Sequence, residues 1–92
     1  MTLSREDLVR QSHEVRIQKL MPNAKKGSDF ARHEIAKCYR RIGNNHEALR
    51  WYRLIATVNR VACLELATWK YGEMDKEERD FWVNYFNNWG QQ

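Results

Sequence analysis

A chain of 92 residues, 42% hydrophobic and 12% aromatic, is enough for one domain with a modest core and too short for two. One proline and the absence of low-complexity tracts argue against wholesale disorder, and no apolar run approaches the roughly 18 residues that a membrane-crossing helix requires. The net charge of +4 is unevenly spread: residues 16–60 carry 11 Lys/Arg against 3 Asp/Glu, whereas residues 61–92 carry 3 against 6.

A basic middle and an acidic end can steer a protein with an acidic surface, or a nucleic acid, toward the chain. The same polarity can be satisfied inside the molecule or across a homodimer. The first ten residues, MTLSREDLVR, are charged and lack the apolar core of a signal peptide, which gives the expectation of a cytoplasmic protein. In that compartment Cys38 and Cys63, both on apolar helical faces, read as buried thiols rather than as a disulfide.

Ser4 can cap a first helix, with Glu6 and Asp7 in its first turn. Leu8, Val9, Val15, Ile17 and Leu20 give this helix an apolar side that Ser12 and His13 interrupt, a pattern that predicts loose docking. The segment MPNAKKGS is then expected to break the chain, because a proline disfavours helical geometry at the residue before it, here Met21. Ser28 or Asp29 caps a second helix whose apolar face is Ala31, Ile35, Cys38, Tyr39 and Ile42, at spacings of four and three. Gly43 suits the left-handed residue that ends such a helix. Asn44 then caps a third, with Glu47 in the reciprocal position of a capping box. Ala48, Leu49, Tyr52, Ile55 and Ala56 face inward. A continuous helix from there to Gly72 would be long for so small a domain, so a bend near Asn59 into a fourth helix is predicted. Asp75 caps the last helix, with Glu78 three residues on. Phe81, Tyr85 and Trp89 form one row of it, and Trp82 and Phe86 the next. These five aromatics either close the core or leave one row, with Trp89, exposed as a binding anchor.

The predicted fold class is therefore all-α, a small bundle of four or five helices forming a single domain. An N-terminal helix and loop occupy residues 1–27, a helical hairpin residues 28–59, and aromatic-rich helices residues 60–92.

Residues 29–62 resemble one tetratricopeptide repeat. Ile35, Ala36 and Tyr39 fit the first helix of that pattern, Gly43 the turn, and Ala48 and Tyr52 the second helix. Arg32, Ile55 and Arg60 depart from it, and no second copy follows or precedes. The resemblance implies a helical hairpin and, since repeat arrays need about three units to cover their faces, flanking helices that cap a lone one. Gly43, Ala48 and Tyr52 are also similar in spacing to the small enterobacterial regulators that bind AraC-type transcription activators. That likeness implies a short helical protein acting by binding another protein.

No catalytic signature is present: there is no phosphate-binding glycine loop, dinucleotide fingerprint, HExxH or GxSxG. His13, His33 and His46 have no partner at metal spacing, and Cys38 and Cys63 stand 25 residues apart. Neither enzymatic activity nor a cofactor or metal is expected. The basic residues carry more information. His33, Lys37, Arg40 and Arg41 form an outer stripe on the second helix, and Arg50, Arg53 and Arg60 a stripe along the third. Either these are solvated faces or they meet acidic groups of a partner. The candidate contact residues are Lys37, Arg40, Arg41, Arg50 and Arg53, with Trp51, Trp82 or Trp89 as an apolar anchor. Trp51 is equally well read as a core residue packed on the first helix. The function so implied is non-enzymatic protein binding by a small regulator or inhibitor of a larger assembly. Nucleic-acid binding through the basic stripe of residues 25–60 and a structural homo-oligomer associating through the aromatic helix are the rivals; against the first, the aromatics cluster in the acidic half and not among the arginines, where base stacking would want them.

Overall fold

The computed structural model describes residues 2–91. Among these, five helices and no strand are found: α1 (Arg5–Lys25), α2 (Asp29–Arg41), α3 (Asn45–Ile55), α4 (Arg60–Ala67) and α5 (Lys76–Asn87). Every start follows from a side chain that accepts an otherwise orphaned backbone N–H. Ser4 accepts from Asp7 N, Ser28 from Ala31 N, Asn44 from Glu47 N, Asn59 from Ala62 N and Asp75 from Glu78 N. The α2–α3 hairpin turns at Gly43, whose φ of 83° is open to glycine and strained for other residues. Asn44 N closes the turn by donating to Tyr39 O. The bend at Asn59 is present, with α3 ending four residues before it.

The expected break at Met21–Pro22 is not there. Helix α1 runs through Pro22 to Lys25. A proline in the last turn removes a single N–H and leaves the downstream bonds intact: Lys26 N reaches Pro22 O at 3.2 Å and Ser28 N reaches Asn23 O at 3.0 Å. Tertiary packing supplies the rest. Ala24 is buried, Leu20 and Met21 pack against the core, and Arg32 Nε on α2 donates to Ala24 O at 3.0 Å. These contacts outweigh the local preference of the residue before proline.

Each helix packs on its successor: α1 on α2, α2 on α3, α3 on α4, and α4 on α5. The Cα extents are 53 × 29 × 14 Å and the radius of gyration is 14.5 Å, against about 12 Å for a compact chain of this length. With helix axes about 8–10 Å apart, the thin dimension leaves room for no more than two layers. The molecule is thus a short stack with two distinct ends, α1 and α5. Its core lies in the middle: Ile35, Ala36 and Cys38 of α2, Ala48, Leu49, Tyr52 and Ile55 of α3, and Ala62, Cys63 and Leu66 of α4 are buried. Small residues at Ala36, Ala48 and Ala62 let the helices approach closely. Trp69 and Trp82 then fill the space toward α5. Trp69 Nε1 donates to Gly72 O at 2.8 Å, satisfying the indole and tying down the α4–α5 connection.

Candidate partner-binding surface

Most of the cations singled out by the sequence are engaged within the chain. Lys37 pairs with Glu34 at 3.0 Å, and Arg16 of α1 meets the other oxygen of the same carboxylate at 3.3 Å. Burial alone would raise the Glu34 pKa, but these two cations outweigh it and hold it below the usual carboxylate range. Arg50 pairs with Glu47 one turn earlier and lies over the Trp51 ring, so the glutamate of the expected capping box turns to an arginine.

Arg53 makes the strongest of these contacts. Its Nε and a terminal nitrogen each lie 2.7 Å from an oxygen of Glu78, a fork that joins α3 to α5. Trp82 Nε1 donates to Glu78 as well, at 3.0 Å. The carboxylate at the expected reciprocal position of the α5 cap instead accepts three bonds, two of which tie α3 to α5. Hydrogen bonding from Arg53, helped by Trp82 and opposed by partial burial, keeps its pKa low.

Arg40 lies between α2 and the α4–α5 connection. It donates to the Tyr71 hydroxyl at 3.3 Å, stacks over that ring and stands 4.0 Å from Glu65. Beside it, His33, Tyr52, Trp69 and Tyr71 form a chain of edge-to-face rings. Burial pushes the Tyr52 phenol up and, with Lys37 adding to it, the His33 imidazole down. The Arg40 guanidinium influences the Tyr52 phenol, yet no bond of proper geometry joins them. Tyr52 Oη, Arg40 Nε and His33 Nε2 are all sealed from solvent without a hydrogen-bond partner.

The three tryptophans expected as anchors divide. Trp51 and Trp82 are core residues, 8% and 7% exposed, which leaves neither free to anchor a partner in this conformation. Trp89 is half-buried against Tyr85. Among the aromatics of α5 it is Phe81 that reaches solvent, 54% exposed.

Arg41 stands apart from the other four predicted cations, with no ion pair among the described residues. It lies at the hairpin tip, where it and Ile42 line a shallow groove with Arg5, Glu6, Val9 and Arg10 of α1. Arg10 borders a second groove with Glu14, Gln18, Met21, Tyr39, Ile42 and Asn44. Arg5, Arg10 and Lys19 likewise have no ion pair among the described residues. Arg60, the last member of the expected stripe, opens α4 and lies over the Phe86 ring, Lys70 lies over Tyr71 and Arg79 donates to Trp69 O, so the cations with neither an ion pair nor such a contact include Arg5, Arg10 and Lys19 of α1 and Arg41 at the hairpin tip. Leu8, Val9 and Val15 are about half exposed in the same region. The sequence carried a signal for this: an α1 whose apolar residues fail to form one stripe cannot bury all of them against one neighbour.

Among the described residues no group of three or more His, Cys, Asp or Glu could hold a metal ion, and no helix is long and apolar enough to cross a membrane. Both cysteines are free and fully buried, and burial raises both thiol pKa values. Comparison with protein-family models, with curated proteins and with solved structures finds no match to this chain.

Proposed function

We propose that this protein is a non-enzymatic protein-binding module, a small regulator or inhibitor that engages a larger partner through its basic face. The observation that carries this reading is the division of its cations. Lys37, Arg40, Arg50 and Arg53 are held by carboxylates or aromatic rings of the chain itself, while Arg5, Arg10, Lys19 and Arg41 are not; Arg5, Arg10 and Arg41 line one groove with exposed Val9, and Lys19 lies with exposed Leu8 and Val15 on the outer face of α1. Unneutralised charge beside exposed apolar side chains is the make-up of a protein interface, in which an apolar centre is surrounded by a polar rim.

The test is affinity capture from the native host with the wild-type chain and with the double variant Arg10→Glu/Arg41→Glu. A partner retained by the first and lost from the second is expected. Purified protein titrated with duplex and single-stranded nucleic acid at low salt separates the rival. Tight binding that weakens steeply as salt rises, with no protein captured, would replace this reading with nucleic-acid recognition.

A further inference from the structure

Resting on that protein-binding reading, we infer that the outer face of α1 is the seat of one acidic amphipathic helix, which adds to the stack as a sixth helix. At roughly 100° per residue, Ile17 and Ala24 point toward α2, and Leu8, Ser12, Val15 and Lys19 point the opposite way. The burial agrees: Ile17 and Ala24 are 6% and 1% exposed, Leu8 and Val15 54% and 48%. Leu8, Gln11, Ser12, Val15, Arg16 and Lys19 line a continuous shallow depression along this face, with Leu20 at its edge. Leu8 and Val15 are seven residues apart, two turns, and Ser12 between them is small. This is the relief that receives the ridge of a crossing helix.

Charge identifies the occupant. The outer face carries Arg5 and Lys19, with Arg16 at one rim and Asp7 at the other, while Glu6 and Glu14 lie on the α2 side of the wheel, so its net charge is positive. Only Arg16 of the three cations has an ion pair, and its side chain is still half exposed. A second copy of α1 is a poor match. The antiparallel register that sets Leu8 on Val15 of the copy brings Arg5 against Lys19 of the copy, like charge on like. A helix with two apolar residues seven apart, flanked by Asp or Glu, satisfies both the relief and the charge.

The probe is a synthetic helical peptide of about 18 residues, with Leu at two positions seven apart and flanking Glu. A Lys-flanked peptide and a scrambled one of the same composition are the controls. Fluorescence anisotropy should show the Glu-flanked peptide binding at least about tenfold more tightly than either control. Val15→Asp and Lys19→Glu should each weaken it by about tenfold or more. Both positions are solvent-exposed, so circular dichroism should show unchanged folds. Amide chemical shifts should move along residues 8–19. Equal binding of the three peptides, or shifts confined to α2 and α4, would overturn the inference. So would concentration-dependent self-association in sedimentation that Leu8→Asp abolishes, since the occupant would then be a second copy. A natural partner lost with Arg10→Glu/Arg41→Glu but retained by Leu8→Asp/Val15→Asp would leave the general reading standing and remove this one.

Discussion

Helix α5 turns Glu77, Asp80, Asn84 and Asn87 to solvent, directly opposite buried Trp82, whereas α1 turns out Leu8, Val15 and Lys19, opposite buried Ile17. The two ends are also attached differently. Side chains of α5 and the segment before it reach past α4: Glu78 holds Arg53 of α3, and Tyr85 reaches Thr57 O beyond the end of α3. Arg79 donates to Trp69 O at 2.7 Å. The side chains of α1 make one ion pair, Arg16 with Glu34, and at about 31 Å the helix is longer than the 13-residue α2 that covers it. A stack of helices needs a polar outer face at each end to stop it accepting more. Here the α5 end is tied by side chains to α3 although Phe81 and Val83 reach solvent, whereas the α1 end has one such tie and carries Arg5, Arg10 and Lys19 without an ion pair.

The comparison can be broken most directly at Trp82. Trp82→Ala removes the side chain that seats α5 and orphans a bond to Glu78. A loss of about 3–5 kcal/mol is expected in urea unfolding, a large share of the stability of so small a domain. If α5 were a loose appendage instead, the loss would be under about 1 kcal/mol. Cutting the α3–α5 fork with Arg53→Met should cost about 1 kcal/mol, since the pair is partly exposed and screened by solvent. The corresponding cut at the other end, Arg16→Met, should cost less.

The same fork sets an acid dependence. Glu78 has a folded pKa below its ordinary value, so its stabilising contribution is full above the unfolded pKa of about 4.3 and is lost as pH falls through the folded value. Thermal unfolding of Glu78→Gln should lack that part of the acid transition. His33 acts in a higher window. Its folded pKa lies below the ordinary value of about 6.5 because burial disfavours the charged ring. The unfolded chain therefore binds more protons between the two values, and stability rises with pH across that interval. His33→Gln should flatten the stability curve there.

Smaller effects sharpen the contrast. Asp75→Ala removes the α5 cap and should cost about 1 kcal/mol globally. Ser4→Ala removes the α1 cap in a turn with little tertiary support, and should increase only local amide exchange at residues 5–9. Val15→Asp should change stability by no more than about 0.5 kcal/mol, which makes it a clean probe of binding.

What the sequence made legible is what neighbouring residues decide among themselves. Ser4, Ser28, Asn44 and Asp75 cap the helices they were expected to cap, Gly43 turns the hairpin and Asn59 marks the bend, because caps and turns are interactions over three or four positions. The buried face of α3 was legible in the same way, from Ala48 to Ala56. Pro22 misled because its local penalty is real but smaller than the packing of Leu20, Met21 and Ala24 on α2, which no window around the proline contains. The fate of the charges was illegible for the same reason. Arg53 and Glu78 are 25 residues apart, and nothing in either segment says that one neutralises the other. Of the predicted contact residues, Arg41 alone keeps both exposure and unpaired charge, while the α1 face showed itself only as a failure of periodicity.

The two fully enclosed thiols offer a use that follows from their positions alone. Cys38 sits in the layer next to α1, and Cys63, whose Sγ–H points to Trp82 O at 3.8 Å, sits in the layer next to α5. An alkylating reagent can reach either sulfur only when its own part of the molecule comes apart. Mass spectrometry of the native chain after timed exposure to such a reagent therefore clocks the breathing of each half separately, with no label to introduce and no residue to change.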